Sequence, residues 1–375
     1  MAGKRKYLYA AAALLILGLL LFVGSGQIRK LFFTPTGSSV ETGSAARDNT
    51  RDIEVIATNL TVPWGVAFLP GGDMLVTERS GMLRRIGEDK QSHAIEGVTH
   101  VGEGGLLGVA VDPKFVDNGQ IYLYMTTRTD DALTNRIERY SYAKGRLADR
   151  KAILGNIPGE VNHDGGRIAF GPDGFLYVAT GDAGKPELAQ DKDSLAGKIL
   201  RLTAEGKPAP GNPFGNAVYS FGHRNPQGLA WDDKGRLWST EHGPSGSGSG
   251  YDELNLIKPG GKYGWPVIKG DEAGTGMVTP IVHSGRDETW APAGLAYAEG
   301  SLFFGGLRGQ TLYEAKLTGN DSVSLKAHFR NEYGRIRTTA VRGSDLYVTT
   351  SNTDGRGNPN AGDDKLVRMK LSLFP

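Results

Sequence analysis

The 375-residue chain contains no cysteine. Disulfides, thiolate metal sites, a cysteine nucleophile and a lipid anchor on cysteine are therefore excluded. Net charge is also nearly absent, with 43 Lys and Arg against 41 Asp and Glu. No Lys/Arg-rich run lies beyond the extreme N-terminus, which argues against a nucleic-acid partner. Gly102-Glu103-Gly104-Gly105 lacks the spacing of a dinucleotide turn, and no helix pattern follows it. There is no P-loop, nucleophile elbow or His-Glu-x-x-His, and no long amphipathic helix pattern in the body.

Long apolar runs are confined to the start. Lys4-Arg5-Lys6 precede an uncharged stretch from Tyr7 to Val23, which at 1.5 Å per residue reaches roughly 26 Å, short of a ~30 Å hydrocarbon core. This pattern marks an exported chain. Val23-Gly24-Ser25 is a weak cleavage site, so an uncleaved anchor is favoured over a cleaved signal peptide. Residues 1–26 are read as signal peptide or membrane anchor, 27–52 as a flexible linker, and 53–372 as an extracytoplasmic body.

Glycine is abundant, at 55 residues. From Ile53 onward one pattern recurs: a small-apolar strand, a Gly/Pro/Asp turn, then a β-branched or aromatic strand. Its six instances begin at Gly65, Gly108, Arg167, Gly228, Gly294 and Thr339. Each is followed by further short strand candidates, such as Leu83–Ile86 and Ile199–Leu202. Six units of three to four short strands predict an all-β fold, a six-bladed β-propeller behind the N-terminal hydrophobic segment. Ile53–Ile56 can complete the last blade and close the ring.

In such blades the loop entering the first strand and the loop leaving the second lie at one end. They bring Trp64, Glu78, Glu103, His163, Asp182, Arg224, Asn225, Glu241, His242, Arg308, Arg335, Arg337, Asn352 and Asp354 to one mouth of the central channel. His163 and Asp182 flank the hairpin of the third unit and form a candidate base with its orienting carboxylate. The arginines are planar forks suited to carboxylates or phosphates and point to a multiply anionic small molecule; ion pairing with neighbouring Glu and Asp is the competing explanation. Glu241-His-Gly-Pro244 runs into a Ser/Gly loop whose carbonyls can ligate a hard cation, and Asp252 and Glu253 can hold another or stand as solvated charge.

Taken in order, Gly105-Leu-Leu-Gly108, His163-x-Gly-Gly-Arg167, Gly181-Asp182, Gly222-His-Arg-Asn-Pro-Gln-Gly228, Glu241-His-Gly-Pro244, Asp252-Glu-Leu-Asn255 and Lys262-Tyr-Gly-Trp-Pro266 resemble the soluble quinoprotein glucose dehydrogenase and aldose sugar dehydrogenase family, also called glucose/sorbosone dehydrogenases. The resemblance covers nearly all of Leu60 to Met369. It implies a propeller that binds pyrroloquinoline quinone (PQQ) over calcium and oxidises an aldose at C1, passing electrons to an external acceptor. It makes His163 the base, with Asp182 polarising it. Arg224 and Asn225 become cofactor contacts, Arg308, Arg335 and Arg337 hold cofactor carboxylates, and Gly243 and Pro244 offer carbonyls to calcium. Two positions depart from the glucose enzyme: Arg308 stands for a lysine, and Glu103, near the cofactor, for a glutamine. Loops after the Trp265 region are shorter, implying an open site and broad aldose use. A calcium-dependent lactonase and a non-catalytic surface binding propeller compete with this reading. The first leaves the mouth arginines without a purpose; the second requires that replacing His163 spare ligand binding.

Overall fold

The computed structural model describes residues 40–43, 52–88, 90–244, 250–319 and 321–374. The apolar run at 7–23, most of the linker and the centre of the Ser/Gly loop lie outside the described residues. Among those described, no helix is long and apolar enough to cross a membrane.

Six antiparallel sheets of four strands follow one another along the chain, a fifth strand joining one of them. Blade 1 comprises Pro63–Phe68, Met74–Glu78, Met82–Ile86 and Gln91–Ala94, and blade 2 comprises Leu106–Val111, Gln120–Thr129, Ala132–Ala143 and Arg146–Pro158. Blade 3 is built from Ile168–Phe170, Leu176–Thr180, Lys198–Leu202 and Val218–Phe221. Blade 4 follows with Pro226–Trp231, Leu237–Glu241, Glu253–Ile257 and Val282–His283, and blade 5 with Pro292–Ala298, Ser301–Gly306, Thr311–Leu317 and Val323–His328. Blade 6 takes Ile336–Arg342, Asp345–Thr350 and Leu366–Lys370 from the C-terminal end and Ile53–Ala57 from the N-terminal side of the body. The fold is thus the expected six-bladed propeller, closed by pairing Ile53 with Met369. Within the stretch read as linker, Glu41 and Thr42 pair in parallel with Lys326 and Ala327 and cover the outer edge of blade 5.

The small-apolar signature of the inner strands has a steric cause. A Cβ on Gly108 would stand 2.2 Å from Gly166 O of the next blade, so only glycine lets these strands approach at the axis. Arg167 occupies the corresponding place in blade 3 and turns inward. Its guanidinium lies 4.3 Å over the Trp64 ring, with Nε donating to Gln227 O at 2.8 Å. Burial pushes it down to about 9. Larger side chains then fill the wedges between blades: Trp64, Tyr122, Tyr124 and Val178 form one buried cluster, and Trp238, Trp290, Phe304 and Tyr313 another. This packing stabilises each blade against its neighbours and fixes where strand ends deliver polar side chains.

Candidate active site

The third blade presents His163 as its hairpin requires. The chain enters Ile168–Phe170, reverses at Gly171–Gly174 and returns through Leu176–Thr180. The two ends meet so closely that a Cβ on Gly181 would fall 1.8 Å from His163 O. Glycine there lets Asp182 reach the imidazole: His163 Nδ1 and Asp182 Oδ1 are 2.7 Å apart. The Asp182 side chain is fully buried, whereas His163 keeps 18% of its side-chain surface. Asp182 Oδ1 also accepts from Gly184 N (2.8 Å), and Oδ2 accepts from Trp265 Nε1 (2.8 Å). With Nδ1 committed to the carboxylate, Nε2 is left with the lone pair.

His163 has φ = +63°, a left-handed conformation that costs roughly 1–3 kcal/mol and persists only where its surroundings impose it. Here they do. His163 N donates to Glu103 Oε2 (3.2 Å), and Gly165 N donates to Asn225 Oδ1 (3.0 Å). On the blade 2 side, Tyr124 OH donates to Asp164 O (2.8 Å) and Asn135 Nδ2 to Asp164 Oδ1 (2.9 Å). Asp164 is buried, which pushes its carboxyl up to about 6 against the Asn135 and Glu160 hydrogen bonds.

The arginines fall into two sets. Arg335 is paired, with Nη2 at 2.8 Å and Nε at 3.1 Å from Asp354 Oδ2, while Nη1 donates to Leu307 O (3.1 Å). Arg337 instead meets the neutral amide of Gln227 at 2.7 Å and lies 5.9 Å over Trp64. Burial, then Arg79, pushes it down to about 9. Its Nε and that of the half-buried Arg308 are buried without a protein partner, and no carboxylate pairs with either guanidinium among the described residues. Arg224 donates from Nη1 to His242 O (3.3 Å) and stacks 5.3 Å over Trp265. Burial pushes His242 down to about 3 despite Glu103, so its imidazole is neutral, with Nε2 unpartnered. Glu103 binds Arg356 Nη1 through Oε1 at 2.9 Å. Burial would raise this carboxyl, but the Arg356 guanidinium, by its charge and its hydrogen bond, holds it well below the usual carboxylate range.

Other residues grouped at the mouth act on the backbone. Glu241 receives His223 Nδ1 (2.8 Å) and Arg224 N, and Glu78 receives Thr61 N and forms an ion pair with Arg84. Asn352 accepts Arg335 N (2.8 Å). At the start of the Ser/Gly loop, Gly243 N donates to Asp252 Oδ1 (2.8 Å), and Pro244 is half-buried. Glu253 lies opposite Glu241 in register, takes a hydrogen bond from Asn255, and is pushed up to about 8 by burial and then by Glu241. The described residues contain no group of three or more His, Asp or Glu able to hold a metal.

Sequence reasoning assigned no role to Trp265, Arg356, Gln227 or Arg79. Trp265 lies in the Lys262–Pro266 motif, which was the available signal. The others sit in loops or inside strands, and their contacts reach from one blade to another. Arg79, for example, donates to Gly102 O at 2.8 Å and touches His100.

A six-bladed propeller here gathers a carboxylate-held histidine and buried arginines at one mouth. Residues 60–359 match the family model described as Glucose / Sorbosone dehydrogenase, and the chain belongs to that family. It is 44% identical to a PQQ-bound aldose sugar dehydrogenase from Streptomyces coelicolor, covering 85% of this chain and 97% of that one with a TM-score of 0.79. Aldose sugar dehydrogenase YliI of Escherichia coli K12 is 30% identical over 365 residues, which are 87% of this chain and 97% of the relative. Quinoprotein glucose dehydrogenase B of Acinetobacter calcoaceticus is 34% identical over 61% of this chain and 55% of its own length.

Proposed function

We propose that this chain oxidises aldoses at C1 to lactones, using PQQ held beside a calcium ion. The observation that carries the reading is a carboxylate-held histidine sharing one mouth with Arg337 and Arg308, two guanidiniums without carboxylate partners. Their buried, unpartnered Nε atoms suit a polyanion, and PQQ has three carboxylates. Arg337, Arg308 and Arg224 would hold it, while Arg335, committed to Asp354, supports the wall behind. Gly243 and Pro244 would offer carbonyls to calcium, the first oriented through its N–H to Asp252. A cation near Glu253 would restore the ionised form that burial disfavours.

PQQ, when bound, supplies the acceptor for the hydride leaving C1. The protein handles the proton. His163 Nε2 accepts it from the C1 hydroxyl, and anionic Asp182 stabilises the imidazolium that results. Arg224, steered by Trp265, stabilises negative charge developing on the sugar oxygen. The electrons then pass to an external acceptor. The short loops after Trp265 suit broad aldose use, and the N-terminal run suits an extracytoplasmic enzyme anchored through residues 7–23. Dye reduction by aldoses after reconstitution with calcium and PQQ tests the reading. Folded protein that binds no PQQ at micromolar levels overturns it.

A further inference from the structure

We propose that Glu103 is a positioning residue for His163 rather than a contact of the cofactor or sugar; this rests on the dehydrogenase reading above. Three observations lead there. One carboxylate oxygen, Oε2, receives the His163 N–H at 3.2 Å and the Asn225 side-chain amide at 3.4 Å. The other, Oε1, is occupied by Arg356 at 2.9 Å. Asn225 in turn accepts from Gly165 N at 3.0 Å, so Glu103 and Asn225 grip both sides of the left-handed residue that bears the imidazole.

The backbone of Glu103 belongs to the same clamp. Glu103 N donates to Val161 O at 2.8 Å, and a Cβ on Gly102 would stand 2.0 Å from that oxygen, so the 102–103 turn is docked on the 161–165 loop. Arg356 comes from the loop between Asp345–Thr350 and Leu366–Lys370 of blade 6, so the clamp joins blades 2, 3, 4 and 6 around one backbone conformation. A glutamine here offers one oxygen where three donors converge. It can keep His163 N–H or Arg356, but not both on separate oxygens. The glutamate therefore serves the loop that carries the base, and its negative charge is neutralised by Arg356 rather than turned on an anionic cofactor.

The test compares Glu103→Leu and Glu103→Gln in the full chain. In protein free of PQQ and metal, amide exchange in a peptide spanning 160–167 should quicken by about tenfold or more in Glu103→Leu, with the inner strand of blade 5 unchanged. After loading with calcium and PQQ, kcat on glucose should fall by roughly tenfold to a hundredfold, the loss expected when a reacting group is misplaced. The PQQ dissociation constant and the KM should stay within about threefold of the parent. Glu103→Gln should recover most of the kcat and of the exchange protection. Unchanged exchange with a tenfold change in PQQ affinity or KM overturns the proposal and makes Glu103 a ligand contact; unchanged exchange and kcat overturn it outright. If Glu103→Leu does not fold, Glu103→Ala is measured in its place and judged by the same criteria. Failure of the parent to bind PQQ refutes the dehydrogenase reading and leaves the exchange comparison standing.

Discussion

Replacing Asp182 by asparagine probes the proton-handling step directly. Two carboxylate oxygens accept three donors here: His163 Nδ1–H and Gly184 N–H on Oδ1, and Trp265 Nε1–H on Oδ2. An amide has one oxygen. If that oxygen faces His163, the amide NH2 opposes the Trp265 indole N–H, and the ring under Arg224 loses its anchor. If it faces Trp265, the NH2 meets Nδ1 and forces the proton onto Nε2, the nitrogen needed as base. Either way the imidazolium loses its counter-charge inside a buried pocket. General-base contributions of about 10²–10⁴ translate to roughly 2.7–5.4 kcal/mol of barrier at about 1.36 kcal/mol per decade. Steady-state dye reduction by glucose with PQQ and calcium saturating should show that fall in kcat. The PQQ affinity, set chiefly by Arg337 and Arg308 away from Asp182, should fall far less than kcat. Trp265→Phe, which removes only the indole donor and keeps the carboxylate, should lose less. A kcat for Asp182→Asn within threefold of the parent would refute the assignment of His163 as a base oriented by this carboxylate.

Arg337→Leu should weaken PQQ binding by roughly tenfold to a hundredfold, the size of a hydrogen bond to a charged group, in a fluorescence titration. Arg335→Leu should instead lower unfolding stability by about 3–5 kcal/mol in urea, because it strands buried Asp354. Chelating calcium should weaken PQQ binding and restoring it should recover it; binding indifferent to the chelator contradicts the carbonyl site at Gly243 and Pro244. Asp164 has a folded pKa of about 6 against an ordinary 3.8, so the native state holds its proton more tightly than the unfolded chain. Its ionisation therefore destabilises the fold as pH rises from about 4 to 6, by about 2–3 kcal/mol, and no further above that window. The stability of Asp164→Asn relative to the parent should climb across this window in denaturant titrations, and a flat difference refutes it.

The fold was legible because its signals are local. Each inner strand announces itself by small residues, and each hairpin by Gly, Pro and Asp, so six recurrences define six blades without any knowledge of contacts. The His163–Asp182 pair was legible for the same reason: one hairpin places both residues. What the sequence could not convey is how charges pair across the ring. Arg335 and Arg337 sit two apart where the first strand of blade 6 begins and look equivalent, yet Asp354 neutralises the first while Gln227, 110 positions from Arg337, gives the second no charge. Arg356 and Glu103 meet across 253 positions, and Trp265 reaches Asp182 across 83. Such contacts are set by loop paths over the mouth, which carry no period. Glu241 and Glu78 resembled ligand groups because strand ends point them inward, but Glu241 is taken by Arg224 N and the His223 ring, and Glu78 Oε1 by Thr61 N and Arg84.

The central claim is that the mouth arginines hold a polyanionic quinone beside His163. Its most direct measurement is an absorbance titration of the folded chain with PQQ in the presence of calcium, followed by addition of an aldose. The account predicts saturable binding at one PQQ per chain, then conversion of the bound quinone spectrum to its reduced form on adding the sugar. No saturation at micromolar PQQ, or a bound quinone that no aldose reduces, would contradict it.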